Sequence, residues 1–208
     1  MIITYIRFQQ HELFNVHEIC FTLLSLLLLI NYGSLSAQQI TAPGGAKFLV
    51  ELGGEFGGEE ILTVYFEEGG DQKMRAGQGG YVAVGGEFHF NKLPAFMLRG
   101  TVGFKYVTTA AENANIRLTR IPVNLLGYYK INEDFRLGAG LTTHQLIRFK
   151  GDGFVPDADL TSGLGGRFEF GWRWVALTYT AINYKNEFDY SFSANSIGVA
   201  FSFTFPQN

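Results

Sequence analysis

The sequence has little cysteine and few charged residues, and each of these deficits excludes some classes of protein. Its one cysteine among 208 residues is Cys20, so neither an intrachain disulfide nor a multi-cysteine metal site can form. Charged residues make up 17%, below the usual quarter, and the formal net charge of −3 offers no basic surface for nucleic acid. The 26 glycines alternate with strand residues instead of forming a phosphate loop, so no cofactor is expected.

The sequence also lacks an apolar run long enough to span a bilayer as a helix. Its longest, "ICFTLLSLLLLI" (Ile19–Ile30), has the length of a secretory apolar region and falls short of the roughly 20 residues a span needs. The small residues of "SLSAQQ" that follow predict cleavage after Ala37. Arg7 is the only firm positive charge ahead of the run, so a retained N-terminal anchor stays open as the alternative.

In the rest of the chain, large apolar residues alternate with small or polar ones, and no stretch shows a convincing helical period. In the last such stretch, "SIGVAFSFTF" (Ser196–Phe205), Ile, Val and Phe occupy one face and Ser, Gly, Ala and Thr the other. Short turns and long loops connect the stretches in alternation, which is typical of an up-and-down outer-membrane barrel with both termini at the short-turn end. The predicted strands are 46–57, 78–90, 96–107, 116–131, 135–147, 162–172, 175–184 and 195–205.

The faces of these strands favour a membrane barrel over a soluble lipocalin-like barrel, which remains the alternative. The polar faces mix Gly and Ala with Glu and Arg, as the narrow interior of an eight-stranded barrel requires, whereas the bulky rows would overfill it. We therefore predict an all-β, eight-stranded antiparallel transmembrane β-barrel over 46–205, after a signal peptide (1–37) and a short lead-in (38–45). The aromatic girdle expected at the membrane interface comprises Phe90, Phe96, Tyr129, Phe135, Trp172, Trp174 and Phe205.

By the same alternation, several carboxylates and guanidinium groups point into the lumen. A buried charge needs an opposite charge beside it, so we interpret this set as a structural ion network and expect no catalytic or metal site in it. Glu87 and Arg99 flank one short turn and are expected to pair directly. The predicted lumen network consists of Glu51, Glu55, Glu87, Arg99, Arg136, Arg167 and Glu169.

Pro122 predicts a local irregularity. Proline removes a ladder hydrogen bond and is tolerated mainly at edges or bulges, and a closed barrel has no edge. We expect a bulge at Pro122, with an inserted residue that brings Leu118 and Ile121 to one face.

Two histidines, His89 and His144, lie on predicted polar faces. His144 could act as a base with Thr142, as in membrane-embedded lipid hydrolases, but no serine–histidine–acid set shares a face. A structural role for both histidines is the simpler interpretation, and the protein is expected not to be an enzyme.

The long loops are acidic and aromatic. "FEEGGD" and "DGFVPDAD" could hold a hard cation such as Ca²⁺, although their spacing fits no known loop and a solvated surface is the simpler interpretation. Loop aromatics could contact a partner or continue the strands beyond the membrane. The acidic residues are Glu67, Glu68, Asp71, Asp152, Asp157 and Asp159, and the aromatic residues are Tyr65, Phe66, Phe154, Phe188, Tyr190 and Phe192.

The segment "LTRIPVNLLGYYKINEDFRLGAGL" (Leu118–Leu141) resembles the PorT-like group of bacterial outer-membrane β-barrel proteins, with its "IP" step, aromatic–basic pair, short turn and Gly-rich strand. The resemblance implies an exported, integral protein of the bacterial outer membrane, and the terminal "FSFTF" resembles the signal that the outer-membrane assembly machinery reads. It implies no single activity. A structural or loop-mediated binding role is therefore expected, for a monomer whose partners are outer-membrane lipid, the assembly machinery and an unknown loop ligand. The alternatives are a lipid-modifying enzyme and a small-solute porin.

Overall fold

The computed structural model describes residues 6–8, 45–66, 71–109 and 115–206. Apart from residues 6–8, the predicted signal peptide lies outside the described residues, as does the lead-in before Gly45. No described helix is long and apolar enough to cross a membrane. The strands are β1 (Ile6–Phe8), β2 (Ala46–Phe56), β3 (Glu60–Phe66), β4 (Asp71–Arg75), β5 (Gly79–His89), β6 (Phe96–Thr108), β7 (Arg117–Lys130), β8 (Phe135–Lys150), β9 (Ala158–Ser162), β10 (Gly165–Trp172), β11 (Val175–Ala181), β12 (Asn183–Lys185), β13 (Ser191–Ser193) and β14 (Ser196–Phe205).

Eight of these strands close into an antiparallel barrel. The order is β10–β11–β14–β2–β5–β6–β7–β8, and pairing of β8 with β10 completes the circle. The prediction of a closed eight-stranded antiparallel barrel is confirmed, and the predicted strand limits differ from the observed ones by three residues at most. Closure leaves no exposed strand edge in the barrel wall.

The two ends of the barrel are different. At the turn end, β5–β6, β7–β8 and β10–β11 are joined by the short connections 90–95, 131–134 and 173–174. At the loop end, the β3–β4 hairpin, strand β9 and the β12–β13 hairpin extend beyond the wall. Because β2 and β14 pair with each other, the first and last barrel residues, Ala46 and Phe205, both lie at the turn end.

The bulky rows of the strands face outward. In "SIGVAFSFTF", Ser196, Ala200 and Ser202 are buried, whereas Ile197 and Val199 are exposed. The same alternation recurs in β2, β5, β6, β10 and β11. This is the opposite of what the lipocalin-like alternative requires.

Near the loop end, the interior changes from charged to apolar. The hairpins fold over the barrel mouth, and their inward side chains pack with those of the strand ends into one buried cluster, which we call the loop-end core. This core closes the lumen on that side. Its buried members are Leu62, Val64, Met74, Ala76, Ile116, Leu118, Ile147, Ile182, Tyr184 and Ala194.

The bulge expected at Pro122 lies in the neighbouring strand instead. Residue alternation continues unbroken through β7, and the β7–β8 register shifts by one residue near Leu146, which has a φ of 48°. The prediction that Leu118 and Ile121 share a face is wrong, because Leu118 points into the loop-end core. The prediction of a shift in alternation rested on the assumption that every apolar residue in the strand faces outward.

The proline is accommodated by a gap in the ladder on its other side. Between β6 and β7, the register runs from Val102↔Val123 to Lys105↔Arg120 without the two pairs in between. Pro122 has no N–H to donate, so an interrupted ladder at this point costs little additional hydrogen bonding.

Candidate functional site

The barrel interior collects the charged side chains that the alternation of each strand turns inward. β2, β5 and β10 contribute the carboxylates, and β6, β7, β8 and β10 contribute the cations. All are buried, so each must find its partner inside the protein. The carboxylates are Glu51, Glu55, Glu87 and Glu169, and the cations are Arg99, Lys105, Arg120, Arg136 and Arg167.

Arg99 joins three strands near the turn end of the lumen. It is the register partner of Glu87, and its Nη2 lies 2.6 Å from Glu87 Oε2. Its Nη1 donates to Ser202 Oγ at 3.1 Å and lies 3.5 Å from Glu51 Oε2. The guanidinium also stands over the ring of Tyr128, 4.8 Å from its centroid. The pairing expected between Glu87 and Arg99 is therefore one part of a larger cluster.

Arg167 occupies the centre of the lumen and uses all three of its nitrogens. Nε donates to Glu169 Oε1 at 2.9 Å, Nη1 to Glu55 Oε1 at 2.7 Å, and Nη2 to the Tyr81 hydroxyl at 3.0 Å. The Tyr81 hydroxyl in turn donates to Glu51 at 2.9 Å. One guanidinium thus connects carboxylates from β2 and β10.

Two interior tyrosines lie across glycines of the neighbouring strand. Tyr81 pairs with Gly53 and Tyr128 with Gly138, and a Cβ atom at either glycine would overlap the tyrosine ring. Each ring therefore lies flat over a glycine, and the Tyr128 hydroxyl donates to Glu169. The glycines of the polar faces make room for tyrosine as well as for charged side chains.

We expect Gly138→Val to destabilise the barrel by about 1–3 kcal/mol, the usual cost of overpacking a well-filled interior. The new side chain would displace the Tyr128 ring. Gly127→Val is the matched control, because a Cβ there meets nothing nearer than 4.0 Å. Urea unfolding in detergent measures both. Equal effects would show that the ring has room to move.

Two interior cations were missed by the sequence interpretation of the network. Lys105 bonds to Glu55 and donates to the Gly77 carbonyl at 2.7 Å. Arg120, with no exposed surface, donates to the Gln78 carbonyl. Lys105 lies in phase with Arg99 on β6, so alternation could have identified it. Arg120 was missed because the bulge predicted at Pro122 shifted the face assignments of the residues before it.

Arg136 lies at the turn end and differs from the other predicted network members. Its Nη1 donates to the Arg173 carbonyl, and its guanidinium stands 6.0 Å from the Tyr128 ring centroid. Among the described residues it forms no ion pair with a carboxylate. His89, which was not among the predicted network members, also contacts Glu87, with its Nε2 2.7 Å from Glu87 Oε1.

The second histidine is held in a structural arrangement. His144 is buried, and its Nδ1 contacts the Tyr184 hydroxyl. The nearby Ser162 hydroxyl bonds to the main-chain N and O of His144, at 2.9 Å each, and not to the ring. Thr142, the suggested companion of His144, donates to Asn124 Oδ1 at 2.7 Å instead. Within the part of the chain that the structure describes, neither the Ser162 nor the Thr142 hydroxyl bonds to the His144 ring.

The loop end carries a groove of about 420 Å³ between the β3–β4 hairpin, the β8–β9 connection and the β12–β13 hairpin. Its floor is apolar and continuous with the loop-end core, through Leu62, Phe149, Leu160 and Phe192. Phe188, at the tip of the β12–β13 hairpin, lines the groove with 88% of its surface exposed. We call this feature the loop-end groove.

The rim of the loop-end groove is acidic. Among the described residues, its lining includes five carboxylates and no lysine, arginine or histidine; the carboxylates are Glu59, Glu60, Asp157, Asp159 and Glu187.

Hydrogen bonds favour the charged form of two of these carboxylates. A bond from the Thr63 hydroxyl lowers the pKa of Glu60, and a bond from Lys150 lowers that of Asp157. Both carboxyl groups therefore ionise more readily than they would without these bonds.

The acidic residues of the loops do not gather into a cation site in the part of the chain that the structure describes. Asp157 and Asp159 lie on the groove rim, while Asp152 accepts a bond from the Asn115 main-chain N at 2.8 Å. No group of three or more potential ligands is close enough to hold a metal among the described residues. Glu67 and Glu68, which belong to the same hypothesis, lie outside those residues.

No protein-family model matches this sequence, and no curated protein matches it. Among solved structures, the chain is similar to Ail, the attachment invasion locus protein of Yersinia pestis, at 13% identity and a TM-score of 0.45; the match covers 77% of this chain and 99% of Ail. Ail in complex with the heparin analogue sucrose octasulfate matches at 12% identity and a TM-score of 0.41, covering 76% and 97%. The resemblance to the PorT-like group stays a prediction, and the closed barrel follows from its own strand register.

Proposed function

We propose that this chain is an integral β-barrel protein of the bacterial outer membrane, with a closed lumen and a binding role carried by its loop end. The observation that supports this most directly is the exterior. Every barrel strand turns large apolar side chains outward, half-exposed, while the charges lie inside. Examples from successive strands are Phe48, Val84, Val102, Leu125, Leu137, Phe168, Leu177 and Ile197.

Such an exterior suits lipid and does not suit water. Soluble monomers rarely expose a contiguous apolar patch of more than a few hundred Å², whereas here the patch encircles the barrel. At the turn end it finishes in aromatic side chains, including Phe96 packed on Tyr129 at 5.4 Å and Trp174 on Phe201 at 5.6 Å. An apolar band bounded by aromatic residues is typical of outer-membrane barrels.

The interior favours an anchoring role over transport. Side chains fill an eight-stranded barrel, leaving no aqueous path. Here the Arg99 and Arg167 clusters link non-adjacent strands across the lumen, and Arg167 of β10 reaches Tyr81 of β5 on the opposite side. The loop-end core adds an apolar plug above them. A porin would need this network to open, which would strand several buried charges.

The interior also favours binding over catalysis. His144 bonds to a tyrosine inside the wall, and the carboxylates are held by arginine and lysine. The barrel thus serves as a rigid, monomeric support that the outer-membrane assembly machinery inserts. The loop hairpins form its binding surface.

We expect the folded protein to be heat-modifiable, running faster on SDS gels when unboiled than when boiled, because a closed barrel resists the detergent. Purified barrel in planar bilayers should show no stepwise conductance. Identical migration before and after boiling would contradict the membrane barrel. Regular conductance steps would instead favour the porin alternative.

A further inference from the structure

We propose that Arg120 and Lys105 bind a small monovalent anion, such as chloride, inside the barrel beneath the loop-end core. This site is separate from the proposed binding role of the loop end, and it depends only on the closed lumen. Two observations point to it: the incomplete hydrogen bonding of a fully buried arginine, and a second cation directly opposite that arginine.

Arg120 is enclosed by the protein without enough acceptors for its donors. None of its surface is exposed, and its Nη2 donates to the Gln78 carbonyl. Its Nε and Nη1 have no hydrogen-bond partner among the described residues. A guanidinium group stays charged in proteins, and burial of a charge is costly unless the charge is paired. A bound ion or an ordered water is a common reason for such an unpartnered buried group.

The cation opposite Arg120 is Lys105. The two residues are register partners on β7 and β6, and both side chains are buried. Like charges at directly opposite positions of two paired strands destabilise each other. Lys105 donates to Glu55 and to the Gly77 carbonyl, and an ammonium group has a third hydrogen to donate. An anion in contact with both cations would accept hydrogen bonds from them and reduce their repulsion.

Glu55, the carboxylate that pairs with Lys105, is already fully used. Its Oε2 accepts from Lys105 and from Ser196 Oγ, the latter at 2.9 Å. Its Oε1 accepts from Arg167 Nη1 at 2.7 Å and from Thr180 Oγ1 at 3.4 Å. Over the described residues, the buried side chains include five lysines and arginines but only four carboxylates. One monovalent anion would balance the difference.

Charge and enclosure together favour a small anion over water and over a larger ligand. Water would accept hydrogen bonds from Arg120 but would not neutralise the paired cations. Leu118, the preceding inward residue of β7, belongs to the loop-end core, and the exposed fractions of Lys105 and Arg120 are 1% and 0%. A ligand with a covalent tail, such as a phosphate ester, would need an opening to solvent beside these two residues.

The dependence of unfolding on chloride tests the site. Protein purified in non-ionic detergent from cells expressing the full chain is unfolded in urea while chloride replaces gluconate at constant ionic strength. A ligand that binds only the folded state lowers the unfolding constant by the factor 1 + [L]/Kd. We therefore expect the unfolding constant to fall as chloride rises, approaching about tenfold for each tenfold increase above the Kd.

Two buried arginines give the matched comparison. Arg120→Met should abolish the response to chloride. Arg136→Met should keep it, because Arg136 also has unpartnered nitrogens but lies at the turn end, with 9% of its surface exposed to solvent. If Arg120 had only a structural role, its replacement would change the unfolding constant by the same factor in both salts.

Bromide locates the anion in the parent protein without any substitution. Crystals grown in sodium bromide should show an anomalous scattering peak in contact with Arg120 and Lys105. Equal unfolding constants in chloride and gluconate, an Arg120→Met variant that responds to chloride as the parent does, or crystals without that peak would each overturn the proposal.

Discussion

Replacing Arg167 with methionine is expected to lower the free energy of unfolding by about 3–5 kcal/mol, the usual cost of removing one partner from a buried charge network. Methionine keeps much of the length of the side chain but donates nothing. Glu169 and Glu55 would lose donors at 2.9 and 2.7 Å, and the Tyr81 hydroxyl would lose its contact with Nη2. These side chains are buried, so bulk solvent does not reach them to replace the bonds.

Arg173→Met is the matched control. Arg173 forms an ion pair of similar length with Asp134, at 2.8 Å, but the two side chains are 59% and 44% exposed. An exposed pair contributes about 0–1 kcal/mol, so this variant should unfold almost as the parent does. Urea titration of both proteins in the same detergent gives the comparison. Similar losses in the two variants would show that the lumen is hydrated and that the network contributes little.

Replacing Leu125 with arginine is expected to cost about 2–4 kcal/mol in a bilayer, the range for arginine at the membrane midplane of a β-barrel. Leu125 lies in the middle of β7, outward and 52% exposed, between Gly100 and Leu141 of the adjacent strands. The guanidinium would have to enter hydrocarbon or distort the lipid around it. Folding into lipid vesicles at graded urea concentrations measures the cost.

Two further variants show whether depth causes the effect. Phe201→Arg should cost less than Leu125→Arg, because Phe201 stacks on Trp174 beside the turn-end girdle and the penalty falls toward the interface. Glu133→Arg, in the exposed turn 131–134, should cost nothing measurable. No cost for either Leu125 or Phe201 would mean that the outward face meets water, and the membrane proposal would then be wrong.

The alternation of the sequence was sufficient to predict the barrel. Side chains of a strand point to opposite faces with a period of two, so residues such as Phe168 and Glu169 had to separate to the outside and the inside. The small residues of the last strand, Ser196 to Thr204, then indicated a narrow interior. The number of barrel strands, their limits to within three residues and most face assignments followed from this local geometry, since none of them depends on which side chains meet. Leu118 was the exception, because it turns inward at the loop end.

Partners from distant strands could not be predicted in this way. The short turn predicted the pair of Glu87 with Arg99, but only the closed wall brings Arg99 to Ser202, 103 residues away in sequence. The wall also leaves the inward-pointing Arg136 on a backbone carbonyl. Strand stagger and side-chain reach across the lumen decide such contacts, and both are properties of the closed barrel.

The sequence by itself therefore determined the barrel, its outward apolar belt and its charged interior, because a period of two is a local property of each strand. The tertiary structure alone decided the loop end. Leu118 and Ile147 turn inward to an apolar core because the β3–β4 hairpin, strand β9 and the β12–β13 hairpin fold over the mouth. That fold also brings Glu60, Asp159 and Glu187 around one groove. These residues lie far apart in the chain. The closed wall places their hairpins side by side, and no local sequence pattern encodes the distance between those hairpins.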